Sequence, residues 1–537
     1  MDDQRNGAMA EVLRGMAAQI AKEAPEGWRR GWVHAYCGPS SSGHRGAGYE
    51  MPDGGSGGSS RIPLGGLSEL YKVSGVSKAE LTVDLVVEPS GRFEAVTSQA
   101  ITADHSGGFL YVLRPDTLPR EPGADQDPPS NPAPAGDPEE AVRLFREYLR
   151  RRADILGEEE FLPEPLDPDE RAALLDAFPG DLPPDLVALY GEADGDDEIG
   201  LLHNHPWFTL ESTTTYVHHR PERRWTGNLF WSMTGDAEPF GTIRRQLGSP
   251  RWIPFATSTG GDYLAVDMDP GPAGRPGQVI RVGTHYDGEP VYVADSVTTM
   301  LRRLVAALDK GDYEEDGGYL DVGAGLPSHL DDDRTYWRGE PPIPKRTRRI
   351  QSLVVDKVRD LDLGSVRGAP HLRMVALFGE GPVDLAPLRD VPLEALRLEL
   401  DAADLSPLAG HPTLRAVTLR MREPVELGVL RTFPRLEGLE LADGAAQDLA
   451  VIGELDGLLS LTLPPEQWRR LGKPPPLAAA GLSGDPTPGQ VSEWAARFEA
   501  GEELGEELGE ELGEELGEEL GEELGGCEYF TGLFNGS

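Results

Sequence analysis

The segment Leu201–Phe208 reads LLHNHPWF, and His218-His219 follow a few residues later. Imidazoles bind transition metals, and His203 and His205, two apart, share one side of an extended strand while Asn204 takes the other. The string has no neighbouring cysteine and is not the spaced motif of the nucleases known as H-N-H, so these histidines are expected at the surface or against a partner, without a metal. Asp194, Asp196, Asp197 and Glu198 suggest a calcium loop. Counted from Asp194, the sixth position is Ile199 instead of glycine and the twelfth is His205 instead of glutamate, which excludes it. Asp267 and Asp269 end a strand two apart, a geometry that suits a metal or a basic side chain, and capping the loop that follows is the simpler role. GPAGRPG (271–277) spaces its glycines by three, but a strand follows it, so no helix N-terminus is left to receive a phosphate. The chain has no P-loop and no HExxH. No catalytic residue, cofactor site or metal ligand is assigned. The residue types point to a binding protein.

The elements that position these groups lie around WIPFATSTGGDYLAVDMDPGPAGRPGQVI (252–280). It reads as strand, turn, strand, stiff loop, strand. Gly260-Gly261 supplies a tight hairpin turn, and YLAVDM alternates as a half-buried strand does. Downstream, Asp295 or Ser296 caps a helix whose Val297, Met300, Leu301, Leu304, Val305 and Leu308 form one apolar stripe.

The chain has 537 residues, which predicts about three domains, and 50 Lys plus Arg against 92 Asp plus Glu give a net charge of −42. Such a chain is repelled by nucleic acid and by anionic membranes. Two cysteines, Cys37 and Cys527, make no disulfide framework. Neither a signal peptide nor a membrane-spanning run is evident, so a cytoplasmic location is expected.

Residues 1–115 predict a small α+β domain, in which 38–66, rich in Gly and Ser, read as a loop. PEGWRRGWVHAYCG (25–38) resembles the YezG-like immunity proteins. Residues 116–137 are a Pro-rich linker, and Asp137 caps the helix that opens the next domain, 138–315. LPPDLVALY, WIPFA, GGDYLAVDMDPGPAGRPGQVI, YVADSVTTML and LDKGDYE occur there in an order that resembles the SUKH superfamily, which includes the fungal Smi/Knr cell-wall regulators. The resemblance implies an antiparallel sheet with flanking helices and a protein-binding role, exercised in many bacterial members as immunity against toxins. Residues 316–349 read as a hinge.

From Ile350 apolar triplets recur, at Ile350/Leu353/Val355, Leu372/Val375/Leu377, Leu393/Leu396/Leu398, Leu414/Val417/Leu419, Leu436/Leu439/Leu441 and Leu458/Leu461/Leu463. Their starts are 22, 21, 21, 22 and 22 residues apart, which resembles a leucine-rich repeat array over 350–470. A linker (471–489) and an acidic tail (490–537) follow, and six GEEL copies occupy 501–524. Leucine every four residues drifts around a helix, so no straight seam forms.

The expected fold class is multidomain α+β: a SUKH-like antiparallel sheet with flanking helices, plus a short leucine-rich-repeat solenoid. The expected function is a non-catalytic protein-binding module, a bacterial immunity protein that neutralises a toxin domain through Trp207, Trp231, Asp267 and Asp269. The alternative is a regulatory scaffold recruiting partners through the repeats. Neither a nucleic acid nor a membrane partner is expected.

Overall fold

The computed structural model describes residues 2–39, 42–52, 56–57, 65–77, 80–103, 108–178, 180–218, 225, 227, 229–230, 233–258, 260–283, 290–316, 319–322, 335–345, 348–442, 446–499 and 527–534. The chain opens with α1 (Asp2–Glu23), β1 (Arg30–Cys37), β2 (Ser42–Glu50), β3 (Ser56–Gly57) and α2 (Gly65–Ser74). Strands β4 (Leu81–Val87), β5 (Arg92–Ser98), β6 (Ile101–Ala103) and β7 (Phe109–Val112) follow. Helix α1 lays Met9, Leu13, Met16, Ala17 and Ile20 onto Val33, Val83, Leu85 and Phe93 of the sheet. Residues 42–50 are a strand and not the expected loop, for a steric reason. A Cβ on Gly46 would sit 3.0 Å from the Trp32 ring, and one on Gly43 would sit 2.9 Å from the Tyr36 hydroxyl. The glycines are the floor beneath two aromatic rings.

The central region comprises α3 (Pro138–Leu156), α4 (Pro168–Asp176), α5 (Pro184–Leu189), α6 (Leu210–His218), β8 (Trp252–Thr257), β9 (Asp262–Asp267) and β10 (Gln278–Gly283). It continues with β11 (Val291–Ala294), α7 (Val297–Lys310), β12 (Glu314–Asp316) and β13 (Tyr319–Asp321). Strands β8–β11 form an antiparallel sheet in the order β11-β10-β9-β8. The helices start where the sequence supplies caps: Asp137 accepts from Glu140 N–H at 3.1 Å and Ser296 from Thr299 N–H at 3.1 Å. The apolar stripe of α7 packs with Leu144, Phe145 and Tyr148 of α3 in one core. Strand β9 is buried on both faces instead of one, because Leu264 and Val266 join that core while Ala265 packs with Trp252 and Ile280 on the other side.

Next come β14 (Tyr336–Gly339), β15 (Ser352–Val358), β16 (Met374–Gly379), β17 (Ala395–Leu400), β18 (Ala416–Met421), β19 (Gly438–Ala442), β20 (Ser460–Leu463), α8 (Pro465–Arg470) and β21 (Ala479–Leu482). Each strand from β14 to β21 pairs in parallel with the next. Short 3-10 turns return the chain between successive strands from β15 to β20. The leucines and valines of the triplets face inward as one apolar core. Strands β7 and β6 extend this sheet antiparallel to ten strands.

Helix α9 (Pro488–Glu499) and β22 (Glu528–Leu533) close the described chain. β22 pairs antiparallel with β5, so the first sheet runs β22-β5-β4-β1-β2-β3 and joins the first described strands to the last. The GEEL copies lie outside the described residues. Among the described residues, no helix is long and apolar enough to cross a membrane.

Candidate functional site

Trp207 is 3% exposed and meets Tyr190 and Phe145 at ring-centroid distances of 5.0 and 5.8 Å. It belongs to the interior and has no face for a partner. Asp267 is fully buried as well: it accepts from Asp269 N–H at 3.0 Å and from Gln278 Nε2 at 2.9 Å. Burial pushes its carboxyl up to about 7, although both hydrogen bonds pull the other way. Its work is capping the Pro/Gly loop. Asp269 is 44% exposed at its side chain and lies 3.1 Å from Arg244 Nε. Trp231 lies outside the described residues.

The histidine segment corrects the expectation of surface histidines. His203 and His205 are 4% and 2% exposed. Burial, with help from neighbouring His205 and Arg281, lowers His203 to about 3, and burial also lowers His205. His205 Nδ1–H donates to the His203 carbonyl at 2.6 Å. The backbone explains the inward turn: φ is +54° at His203 and +60° at Asn204, and +48° and +64° at Asp197 and Glu198. Four non-glycine residues in the left-handed region within one loop is a concentration of strain. Buried Asp196 staples the loop by accepting from Leu201 N–H at 2.8 Å. His218 ends α6, and His219 lies outside the described residues.

Beside this loop, Phe161 stands 80% exposed. Its neighbour Glu160 is gripped by the buried Arg152 guanidinium through two bonds of 2.6 Å, and Arg152 Nη1 also donates to the Leu320 carbonyl at 3.1 Å. Asp194 N–H donates to the Pro163 carbonyl at 3.3 Å, which ties the Phe161 segment to the strained loop. Glu158, Glu159, Asp197 and Glu198 are exposed. Phe161 therefore follows a clamped glutamate in a segment that also exposes Glu158 and Glu159.

The stiff loop 270–277 has a different task. Gly271 N–H donates to the Thr242 carbonyl and Ala273 N–H to the Gly241 carbonyl, each at 2.9 Å. Those bonds hold residues 233–250, which, with Leu229 and Phe230, lie against the face of the parallel sheet turned away from its leucine core. Leu229, Phe230 and Met233 pack there on Val354, Ala376, Ala395 and Ala416. A Cβ on Gly438 would lie 2.7 Å from Leu229 Cδ2, so the row Ala395, Ala416, Gly438 is small because the segment occupies it.

Ion pairs seal the edge of this contact. Arg373 Nη2 lies 2.9 Å from Asp236, Arg245 Nη2 lies 2.8 Å from Glu394, and Arg415 Nη2 lies 2.6 Å from Glu437. Burial raises the Glu394 carboxyl, with Arg245, Arg373 and Arg415 opposing it. The linker joins in: Gly123 N–H donates to the Arg245 carbonyl at 2.7 Å, and Arg275 Nη2 to the Ala133 carbonyl at 2.9 Å. Sequence reasoning missed this seam. Its signal was present, since the residues just before four successive strands are Arg373, Glu394, Arg415 and Glu437, charges that alternate in sign with the period of the repeats. None of these groups forms a nucleophile–base pair. The seam joins two parts of the chain.

Residues 165–303 match the SMI1 / KNR4 family (SUKH-1). The chain is 36% identical over 86 residues to a KNR4/SMI1 homolog of Yarrowia lipolytica, covering 16% of this chain and 12% of that protein. It is 40% identical over 76 residues to a glucan synthesis regulatory protein of Neurospora crassa, covering 14% of each. It is 25% identical over 118 residues to the cell wall assembly regulator SMI1 of Saccharomyces cerevisiae, covering 22% of this chain and 20% of that protein. The chain thus spans a fifth or less of the length of these curated relatives. Their names overturn the expectation of a bacterial toxin-neutralising immunity protein: the relatives are fungal and are named as regulators. The regulatory alternative fits them better. Residues 165–303 are a SMI1/KNR4 (SUKH) domain.

Proposed function

We propose that this chain is a non-catalytic regulatory scaffold that binds a protein partner through the segment leading into its SUKH domain. The observation that carries the reading is Phe161, a large apolar side chain 80% exposed and held by the Arg152–Glu160 clamp beside a strained loop. An exposed aromatic in an acidic segment fits a partner pocket that is apolar at its centre and basic at its rim. Regulators among the relatives agree with a binding role.

The repeats (350–470), which we take as leucine-rich, serve this scaffold as a platform. Their outward sheet face is filled by the chain's own Leu229, Phe230 and Met233, so a client meets them elsewhere. The first domain keeps its YezG-like reading as part of the proposal.

The test is cross-linking of the full chain in cells that produce it, followed by co-purification. Phe161→Ala should lose the specific partner while thermal stability stays unchanged, because the side chain packs against little. Partner recovery equal to wild type would refute the assignment of this face.

A further inference from the structure

β22 is the edge of the first sheet, and among the described residues nothing pairs with its outer side. Edge strands of soluble proteins are blunted by lysine, proline or shortness. β22, EYFTGL, is six residues long and contains neither lysine nor proline. Its one charged residue, Glu528, is paired with Arg5. Of the five exposed large apolar side chains among the described residues, two belong to this strand: Tyr529 at 40% and Leu533 at 62%. The chain as a whole carries −42, so a patch without net charge offers nothing to a partner chosen by charge.

We infer that β22 is a homodimer edge, pairing antiparallel with β22 of a second copy about a two-fold axis through Thr531. The strand is self-complementary in that register. Positions 529 and 533 are equidistant from 531, so Tyr529 of one copy faces Leu533 of the other on one side of the sheet and the two threonines face each other at the axis. Successive strand residues alternate faces, so Phe530 and Gly532 take the other side, which packs on the chain's own first core: Phe530 is 8% exposed, and a Cβ on Gly532 would lie 2.8 Å from the Phe93 ring. Cross-strand aromatic–aliphatic and Thr–Thr pairs are the usual unit of sheet stabilisation. The pairing joins two six-stranded sheets into one and covers both exposed apolar side chains. The two acidic copies repel, so association is favoured by salt. This inference is independent of the Phe161 face.

Sedimentation velocity of the full chain over about a hundredfold concentration range tests it. Wild type should show a concentration-dependent dimer, tighter at ~0.5 M than at ~0.1 M salt. Thr531→Lys places two ammonium groups opposite one another at the axis and should weaken the dimer at least about tenfold, with an unchanged circular dichroism spectrum. Thr531→Val should keep it. If Thr531→Lys fails to fold, Leu533→Asp, at a 62% exposed position, carries the same expectation. A wild-type chain that stays monomeric throughout, or folded charge variants that dimerise as well as wild type, would overturn the inference.

Discussion

Arg245 and Glu394 stand 149 positions apart, yet Nη2 of the arginine lies 2.8 Å from both carboxylate oxygens of the glutamate. The two side chains are 7% and 10% exposed. One partner comes from the segment before the SUKH sheet and the other from the position before β17, so the pair rivets two modules.

Removing one member of a buried pair strands the other charge. Glu394→Ala should therefore cost about 3–5 kcal/mol in urea unfolding, whereas Arg245→Met with Glu394→Leu should come close to wild type. Equal losses in the single and double variants would contradict the coupling.

Gly438→Ala drives a methyl toward Leu229 Cδ2, 2.7 Å away in the present geometry. We expect a loss of ~1–3 kcal/mol from overpacking. Leu229→Ala alone should cost ~2–5 kcal/mol, and the two together should cost less than their sum because the second change vacates the space the first requires. Strict additivity would show that the segment does not sit on this row.

Asp267 has a folded value of about 7 against an ordinary value near 4, set by burial and reinforced by Asp269, with Arg244 opposing. Its contribution is full below pH ~4 and is lost as pH rises toward ~7. Asp267→Asn removes that loss. The variant should gain melting temperature relative to wild type as pH rises from ~4 to ~7 and hold a constant difference above. A pH-independent difference would be the contrary result.

His203 runs in the opposite sense. Its folded value of about 3 lies below the ordinary 6.5, so stability present at neutral pH declines as pH falls from 6.5 toward 3. His203→Asn keeps a residue that tolerates positive φ and should flatten the acid limb of the stability curve. An unchanged slope between pH 6 and 4, followed by far-ultraviolet circular dichroism, would count against the buried neutral imidazole.

What the residues announced in advance was local. The 21- and 22-residue spacing placed β15 to β20, and Asp137 and Ser296 stood where α3 and α7 begin. Capping and period are short-range signals, read within a few turns of the chain. The failures come from contacts and backbone geometry that a short window of sequence does not display. Gly43, Gly46 and Gly48 read as a loop because the rings that roof them are on another strand. The segment before β8 has no period of its own, since its register is dictated by the small residues of β16 to β19. His203 and His205 looked external because asparagine and histidine, which tolerate left-handed backbone, occur as often in surface strands and loops, so LLHNHPWF did not show the chain turning inward.

The pairing of β22 with β5 sets an order of events during synthesis. Residues 92–98 are made before the SUKH domain and the parallel array, and their partner, 528–533, is made after both. Domains ordinarily fold N-terminal first as they emerge. Here the first module waits with the β5 edge open while the central sheet and the parallel array mature, and a nascent chain halted before β22 would carry a finished SUKH domain behind an unfinished first sheet.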